Sequence, residues 1–486
     1  MQHGVFLRPE VLPEISDRVE VPTYDRSRLR RSILHIGVGG FHRSHLGSYV
    51  DDLCRAGHRD WSIVGSGVLP ADAAMASALG GQECLYSLIL RGPDLTQVAI
   101  IGSIVDYIHA HPNPTRLVEQ ISHPDTQMVS LTVTEGGYPI EEGKGRYDPE
   151  SPMAGRASAF GILVAGLALR RARNAGPLSV VSCDNIVSNG DVARTATLGE
   201  AENVDPALAA WVELEVAFPN SMVDRITPAT TDADREWLFT ETGVVDAWPV
   251  VAEPFRQWVI EDTFAAGRPP LEDLDVVVTS DVEPYEQMKL RLLNGAHSVL
   301  AYLAALRGYD QVHTAMSDPL LRRYIRAFLD DEAAPTLPAV PGIDVEDYKT
   351  TIIGRFSNGA IADQISRLCR DGSAKLPKFV LPILRDQLRR GGPIGLSALG
   401  LAGWCQYLVG VADDGSVIEP AADPHLETAR HHARASLTEP ARFLDYRAVF
   451  DDDLAGNRRL ISALSEALTS VRSRGTQPAL ESALSS

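Results

Sequence analysis

Three polar side chains within one largely apolar stretch, EPYEQMKLRLLNGAHSVLAYL, are of the types needed to draw a proton from an alcohol: Lys289, Asn294 and His297. An amine that has lost its own proton can accept the hydroxyl hydrogen, an amide N–H can steady the oxyanion, and an imidazole can orient the substrate. On an α-helix, offsets of five and eight residues put Asn294 about 140° and His297 about 80° from Lys289, so lysine and histidine share a face and the asparagine flanks it. The same pattern also describes a solvated helix charge, a polar wall and a core histidine. Glu286, one turn before Lys289, could hold the amine or relay its protons, or form an ordinary i,i+3 ion pair with it. Pairing raises the amine's pKa, so a base at position 289 requires desolvation to prevail. Lysine is otherwise scarce, occurring only at 144, 289, 349, 375 and 378, with arginine supplying the remaining cations. Guanidinium stays protonated in proteins, which makes each retained amine chemically distinct.

A second set lies in HIGVGGFHRSH, residues 35–45, where Gly37 and Gly39 stand at the turn from a short apolar strand into a helix. Such glycines let backbone N–H groups approach a pyrophosphate at the positive end of a helix. Position 42 is His where G-x-G-x-x-G would carry its third glycine, so an ordinary turn fits equally well. Asp72, the nearest acid after the next strand, could hold the adenosine ribose hydroxyls and favour NAD over NADP, or cap the following helix. His42 and His45 share a helical face but lack the further ligands of a zinc site, and local hydrogen bonding is the preferred reading.

Other polar clusters close apolar runs, and the carboxyl ends of strands are where open α/β sheets bind ligands. Thr134-Glu135-Gly136-Gly137-Tyr138 ends one run and Cys183-Asp184-Asn185 another. Asn185 could donate to an alkoxide or serve only the turn. Asp224 could accept substrate hydroxyls or pair with Arg225, and Arg367 and Lys375 could bind a polyhydroxy ligand or be helix-end charges.

The elements that must position these groups alternate at first. Strands are expected at residues 33–38, 61–68, 98–105, 128–134 and 178–183, with helices at 42–55 and 161–175 between them. That order predicts a Rossmann-type, doubly wound domain over residues 1–280. From there long helical periods dominate, at 285–306, 319–329, 345–356, 360–370, 381–390, 397–409 and 454–472, giving a mostly helical domain over 281–486 with a loose tail from 474. With 486 residues, 44% of them apolar, the chain can bury two cores. A formal charge of −19 opposes nucleic acid and anionic membranes as partners. Five scattered cysteines without C-x-x-C spacing argue against a disulfide framework and a structural zinc. No signal core precedes the domain and no apolar run reaches the roughly 20 residues of a membrane span, so a cytoplasmic protein is expected.

Taken in order, HIGVGGFHRSH, SLTVTEGGY, SCDNIVSNG, FPNSMVDRITP, AWPVVAEPFRQWVIED, the Lys-x5-Asn-x2-His run and RFSNGAIADQISRLCRDGSAK resemble the polyol-specific long-chain dehydrogenase/reductase family, most closely its mannitol-oxidising branch. The similarity runs over residues 20–410. It implies a metal-independent enzyme that uses NAD to interconvert a polyol and a ketose, D-mannitol and D-fructose foremost, and a monomer. It assigns the general base to Lys289, the oxyanion contacts to Asn294 and Asn185, and substrate positioning to His297. By the same correspondence Asp224, Arg367 and Lys375 contact the sugar, Gly37, Gly39 and Phe41 form the nucleotide turn, and Asp72 meets the ribose. The sequence departs from the family at Val187-Ser188, where a proline is expected. Two alternatives stand beside this reading: a relative that reduces the keto-uronates fructuronate or tagaturonate, and a catalytically idle NAD-binding sensor. The joint presence of Lys289, Asn294, His297 and Asn185 argues against the sensor.

Overall fold

Short, almost wholly buried apolar runs build the centre of the first unit. The computed structural model describes residues 4–141 and 144–485. Its largest sheet contains β1 (Ile33–Ile36), β2 (Ile63–Gly67), β3 (Ile104–His109), β4 (Met128–Leu131), β5 (Leu178–Ser182) and β6 (Val216–Ala217). All are parallel, in the order β3-β2-β1-β4-β5-β6. This is the doubly wound dinucleotide-binding order, whose topological switch lies between β1 and β4. Because both faces are covered, the strands read as continuous rather than alternating apolar runs. Ile33 packs into one core with Val50 and Leu53 of the helix Leu46–Arg55, and Leu34 and Ile36 enter the opposite core with Leu163 and Leu167 of the helix Ala159–Arg173. Each such fully buried aliphatic side chain contributes about 2 kcal/mol.

Two stretches depart from the expected elements here. Residues 98–105 do not form one strand: Thr96–Ile101 closes an antiparallel hairpin with Tyr86–Arg91, and β3 starts afresh at Ile104. Gly102 causes the break, since its N–H donates to Asp51 Oδ1 at 2.7 Å and its carbonyl accepts from Arg26 Nε at 2.9 Å, which removes both groups from the ladder. The helix expected at 42–55 is two helices, Gly40–Ser44 and Leu46–Arg55, separated at His45 with φ −103° and ψ −90°. A smaller sheet pairs Ser221–Asp224 with Gln257–Glu261 antiparallel, and the latter with Val277–Thr279 parallel.

The chain divides into compact units at Met1–Glu283 and Pro284–Ser486. The second is helical. Its first long helix runs Glu283–Met288, Lys289–Asn294 and Gly295–Leu306 without a break, but the middle segment is a π-helical turn. A second π-turn, Phe328–Ala333, extends the helix Pro319–Ala327. It delivers the buried Glu332 carboxylate to the start of the helix Gly395–Val409, where Leu396 N–H (2.7 Å), Ser397 N–H (2.8 Å) and the Ser397 hydroxyl donate to it. Of residues 360–370 only Ile365–Leu368 is helical, because Ala362 takes a positive φ of 51°. The helix expected at 454–472 is interrupted at Gly456, and Asn457 caps Arg458–Arg474 by accepting from Arg459 N–H. The tail expected to be loose carries a helix, Thr476–Ala483, anchored by Thr476 N–H on Asp413 Oδ2 at 3.0 Å and by buried Leu480. All five cysteines are free and buried. Among the described residues, no helix is long and apolar enough to cross a membrane.

Candidate active site

In the first unit the glycine turn leaves β1 at its carboxyl end. Gly37 has φ +98°, and a Cβ there would lie 2.2 Å from the Thr132 carbonyl oxygen, so only glycine fits. Gly39 differs: a Cβ would meet nothing nearer than the Gly37 oxygen at 3.9 Å, so the space beside it is open to a ligand. Phe41 lies half-buried with its ring stacked on His45, centroids 4.9 Å apart. His42 occupies the third-glycine position with its ring flat against His35 of β1, at 3.4 Å and 16°. His35 is held by Ser130 Oγ and Thr132 Oγ1, at 2.8 and 2.9 Å. His45 Nε2 meets the Gln257 carbonyl at 2.9 Å, whereas neither His42 nitrogen has a hydrogen-bond partner. Local hydrogen bonding therefore describes His45 but not His42, which is stacked. Burial drives His35 and His45 down to about 3 and His42 well below its usual range, so all three are neutral at pH 7. Among the described residues no group of three or more His, Cys, Asp or Glu could hold a metal ion.

Asp72 follows β2, but its carboxylate does not cap the following helix. It reaches back to accept from Leu69 N–H at 2.8 Å. A Cβ at Gly67 would come within 2.4 Å of both Asp72 Cβ and the Tyr107 hydroxyl. That hydroxyl is buried without a hydrogen-bond partner. An open glycine turn, an acid after the second strand and an orphaned hydroxyl beside it fit a dinucleotide lying across the carboxyl ends of β1 and β2.

Asn185 is exposed just beyond β5. The residue before it, Asp184, is buried and accepts from Val133 N–H (3.0 Å), Thr134 N–H (2.9 Å) and the Tyr138 hydroxyl (2.8 Å). Ser188, where the family leads one to expect a proline nearby, has φ 50°, which a proline ring cannot adopt. Asp224 is buried at the end of Ser221–Asp224, in the smaller sheet. Arg225 sends its guanidinium to the Glu253 and Ser44 carbonyls.

In the second unit, Lys289 and Glu286 are buried, and Lys289 opens the π-turn that Asn294 closes. Gly295 N–H donates to the Leu290 carbonyl, the i→i+5 pattern of such a turn. One extra residue per turn brings Asn294 round towards the face of Lys289, closer than the about 140° of a regular helix. Asn294 Oδ1 is buried with no hydrogen-bond partner. The His297 ring stacks on Phe356 at 3.9 Å and 9°. Arg367 grips Asp363 with Nε at 2.7 Å and Nη2 at 2.5 Å. Burial pushes the Asp363 carboxyl up, but the hydrogen bonds and charge of Arg367, with the His297 ring, outweigh it and hold the carboxyl below its ordinary value. Lys375 lies in the helix Gly372–Phe379, its Nζ 3.5 Å from the Leu368 carbonyl.

The family model for the mannitol dehydrogenase Rossmann domain matches residues 31–273, and that for the mannitol dehydrogenase C-terminal domain matches 281–472. The chain belongs to the mannitol dehydrogenase family. Among relatives of this mannitol dehydrogenase family member, a protein from Phaeosphaeria nodorum named mannitol 2-dehydrogenase is 42% identical over 94% of this chain and 82% of its own. The solved structure of Pseudomonas fluorescens mannitol 2-dehydrogenase, a ternary complex with NAD and D-mannitol, is 40% identical, with a TM-score of 0.90 over 99% of this chain and 100% of that one. A substrate-free D-sorbitol dehydrogenase is 33% identical, with a TM-score of 0.87 over 98% of this chain and 100% of that one.

Within this family member the structure brings Lys289, Asn294 and His297 onto one continuous helix, and ties Arg367 to His297's neighbourhood through Asp363. Gly37, Gly39, Asp72 and Asn185 all fall at carboxyl ends of strands in one sheet, whereas Asp224 ends a strand of another. Sequence reasoning missed Asp184, Tyr107 and Asp363. An acid directly after an apolar strand was the available signal for Asp184. Tyr107 and Asp363 carried none.

Proposed function

We propose that this protein is an NAD-dependent polyol dehydrogenase that oxidises D-mannitol to D-fructose and runs the reverse reduction. The observation that carries this is the near-complete likeness to a mannitol 2-dehydrogenase solved with NAD and D-mannitol, 40% identical with a TM-score of 0.90. In this reading residues 1–280 hold the cofactor, with backbone at Gly37 and Gly39 approaching the pyrophosphate, Phe41 flanking the turn and Asp72 on the ribose. Residues 281–486 carry the base and most sugar contacts.

When bound, the nicotinamide supplies the acceptor for the hydride leaving the substrate carbon. Lys289 Nζ takes the hydroxyl proton, and its burial favours the neutral amine this requires. Asn294 and Asn185 donate amide N–H groups to the developing alkoxide; the hydrogen-bond-free Oδ1 of Asn294 supports an amide kept for a ligand. His297, fixed by its stack on Phe356, orients the substrate. Asp224, Arg367 and Lys375 hold the remaining hydroxyls. No step in this scheme calls on a metal. The keto-uronate alternative is less well supported, because Asp363 already takes Nε and Nη2 of Arg367, the fork a substrate carboxylate would use. The reading includes a cytoplasmic monomer, which sedimentation velocity can check.

The test is a panel of mannitol, sorbitol, arabinitol and mannonate with NAD and with NADP, following reduced nicotinamide with and without a chelator. Mannitol with NAD should give the highest kcat/KM, unchanged by the chelator. No turnover with any polyol would refute the reading, and activity lost to the chelator would refute its metal-free chemistry.

A further inference from the structure

The carboxyl ends of β4 and β5 are joined by a single side chain. Asp184 stands between the end of β5 and Asn185, yet its three side-chain donors, Val133 N–H, Thr134 N–H and the Tyr138 hydroxyl, all belong to the segment leaving β4. Tyr138 is fixed in turn by Ser182 Oγ at 2.7 Å. From the other side, Asn189 Nδ2 donates to the Asp184 carbonyl at 3.1 Å and to the Ser221 carbonyl at 2.8 Å. The segment so held is not relaxed: Thr134 has φ 65° and ψ 164°, a conformation that non-glycine residues rarely adopt and keep only when their surroundings enforce it. The enforcing contact is its own N–H on Asp184 Oδ1. A buried carboxylate is a costly way to join two strand ends unless its charge and geometry serve something further.

We propose that Asp184 is a positioning residue: its carboxylate locks the β4 exit to the β5 exit and thereby sets the direction in which Asn185 presents its amide to the substrate oxygen. This rests on the reading that Asn185 holds the alkoxide.

The clamp works only as an acceptor, so it must be ionised to serve both backbone N–H groups. Burial pushes the Asp184 carboxyl up to about 6, against the lowering effect of the Tyr138, Val133 and Thr134 hydrogen bonds and with a small further rise from Glu135. The titratable groups facing it are Tyr138 and Glu135 from the β4 exit and Cys183 beside it, while the helix Asn189–Val204 presents the neutral amide of Asn189. Protonation near pH 6 therefore loosens the clamp.

The experiment measures kcat for ketose reduction from about pH 5 to about pH 9, together with NADH affinity, in wild type, Asp184→Asn, Tyr138→Phe, Asn185→Ala and the Asp184→Asn/Asn185→Ala double variant. Reduction is the informative direction, because there Lys289 must carry its proton and does not itself impose an acid limb. Wild type should lose kcat below about pH 6. Asp184→Asn should lower kcat about 10- to 100-fold, keep NADH affinity within about twofold, and abolish that limb. Tyr138→Phe removes a bond that favours the ionised form, so its limb should move to higher pH. On the Asn185→Ala background Asp184→Asn should cost less than about threefold more. Wild-type kcat in Asp184→Asn, or fully additive losses in the double variant, would overturn the proposal. If Asp184→Asn does not fold, an unmoved limb in Tyr138→Phe overturns it. Wild-type kcat in Asn185→Ala would overturn the proposal along with the reading beneath it, and so separates the two failures.

Discussion

His42 offers an unusually clean test of how the glycine-turn helix is built. Its ring is fully buried against His35, and neither nitrogen has a hydrogen-bond partner, so replacing it with phenylalanine keeps the stack and removes no hydrogen bond. What His42→Phe removes is a group that is neutral when folded and protonated when unfolded. The sign follows from the direction of the shift. A histidine whose folded pKa lies below its unfolded value of 6.5 binds a proton on unfolding, so its stabilising contribution is present above pH 6.5 and is lost as pH falls. For His35 and His45, both near 3 when folded, the loss between pH 7 and pH 5 is about 2 kcal/mol each.

The assay is proton uptake on unfolding, measured in a pH-stat as protein is diluted into urea at about pH 5.5, where an unfolded histidine is about 0.9 protonated. This counts protons directly and needs no two-state assumption for a chain of two units. Asp184 contributes in the opposite sense, because its raised pKa makes it release a proton on unfolding, so the wild-type total is not diagnostic. The difference is: His42→Phe should take up about 0.9 proton fewer than wild type. An uptake unchanged within about 0.3 proton would mean that His42 is already charged or solvated in the folded protein, and would refute the buried neutral stack.

Lys289→Arg keeps the charge but not a usable base, and should lower kcat for mannitol oxidation by about a thousandfold or more in steady-state assays. Gly37→Ala would press a methyl group to 2.2 Å from the Thr132 oxygen at φ +98°; it should cost about 2 kcal/mol or more in thermal unfolding and abolish NADH binding by fluorescence titration. Asp72→Ala should raise the KM for NAD while narrowing the preference for NAD over NADP about tenfold, read from kcat/KM with each cofactor. Glu332→Ala strips the buried start of the helix Gly395–Val409 of its acceptor for Leu396 and Ser397 N–H, and should lower stability by about 3 kcal/mol, with Glu332→Gln intermediate in the same melting experiment.

The parallel strands were legible because burial on both faces makes each a short, unbroken apolar run, as in β1 and β5. The same property hid the break at Gly102: an apolar run carries no mark of where a ladder ends, and the cause is Asp51, distant in sequence. The tail beyond 474 looked loose because small residues dominate it, yet Asp413 supplies the anchor and Leu480 the buried contact. At the candidate site, residue types identified Lys289, Asn294 and His297, but their angular relation was misjudged. An extra residue in one helical turn leaves the apolar pattern almost unchanged. Asp363 and Tyr107 could not be found by pattern at all, since what distinguishes them is burial beside a partner far along the chain.

That extra residue divides one helix into two registers. Everything before the π-turn at Lys289–Asn294 is phased with Lys289, and everything after it with His297. Deleting a single residue within the turn would restore an ordinary helix but swing the downstream face by about 100° and draw it back by about 1.5 Å. His297 would leave Phe356, and Gly295 would lose its place against Phe379 and Ile383. Residue-by-residue substitution can therefore retune the site, whereas grafting this helix between scaffolds succeeds only if its length is inherited together with its side chains. The spacing between lysine and asparagine is as much a part of the catalytic equipment as either residue.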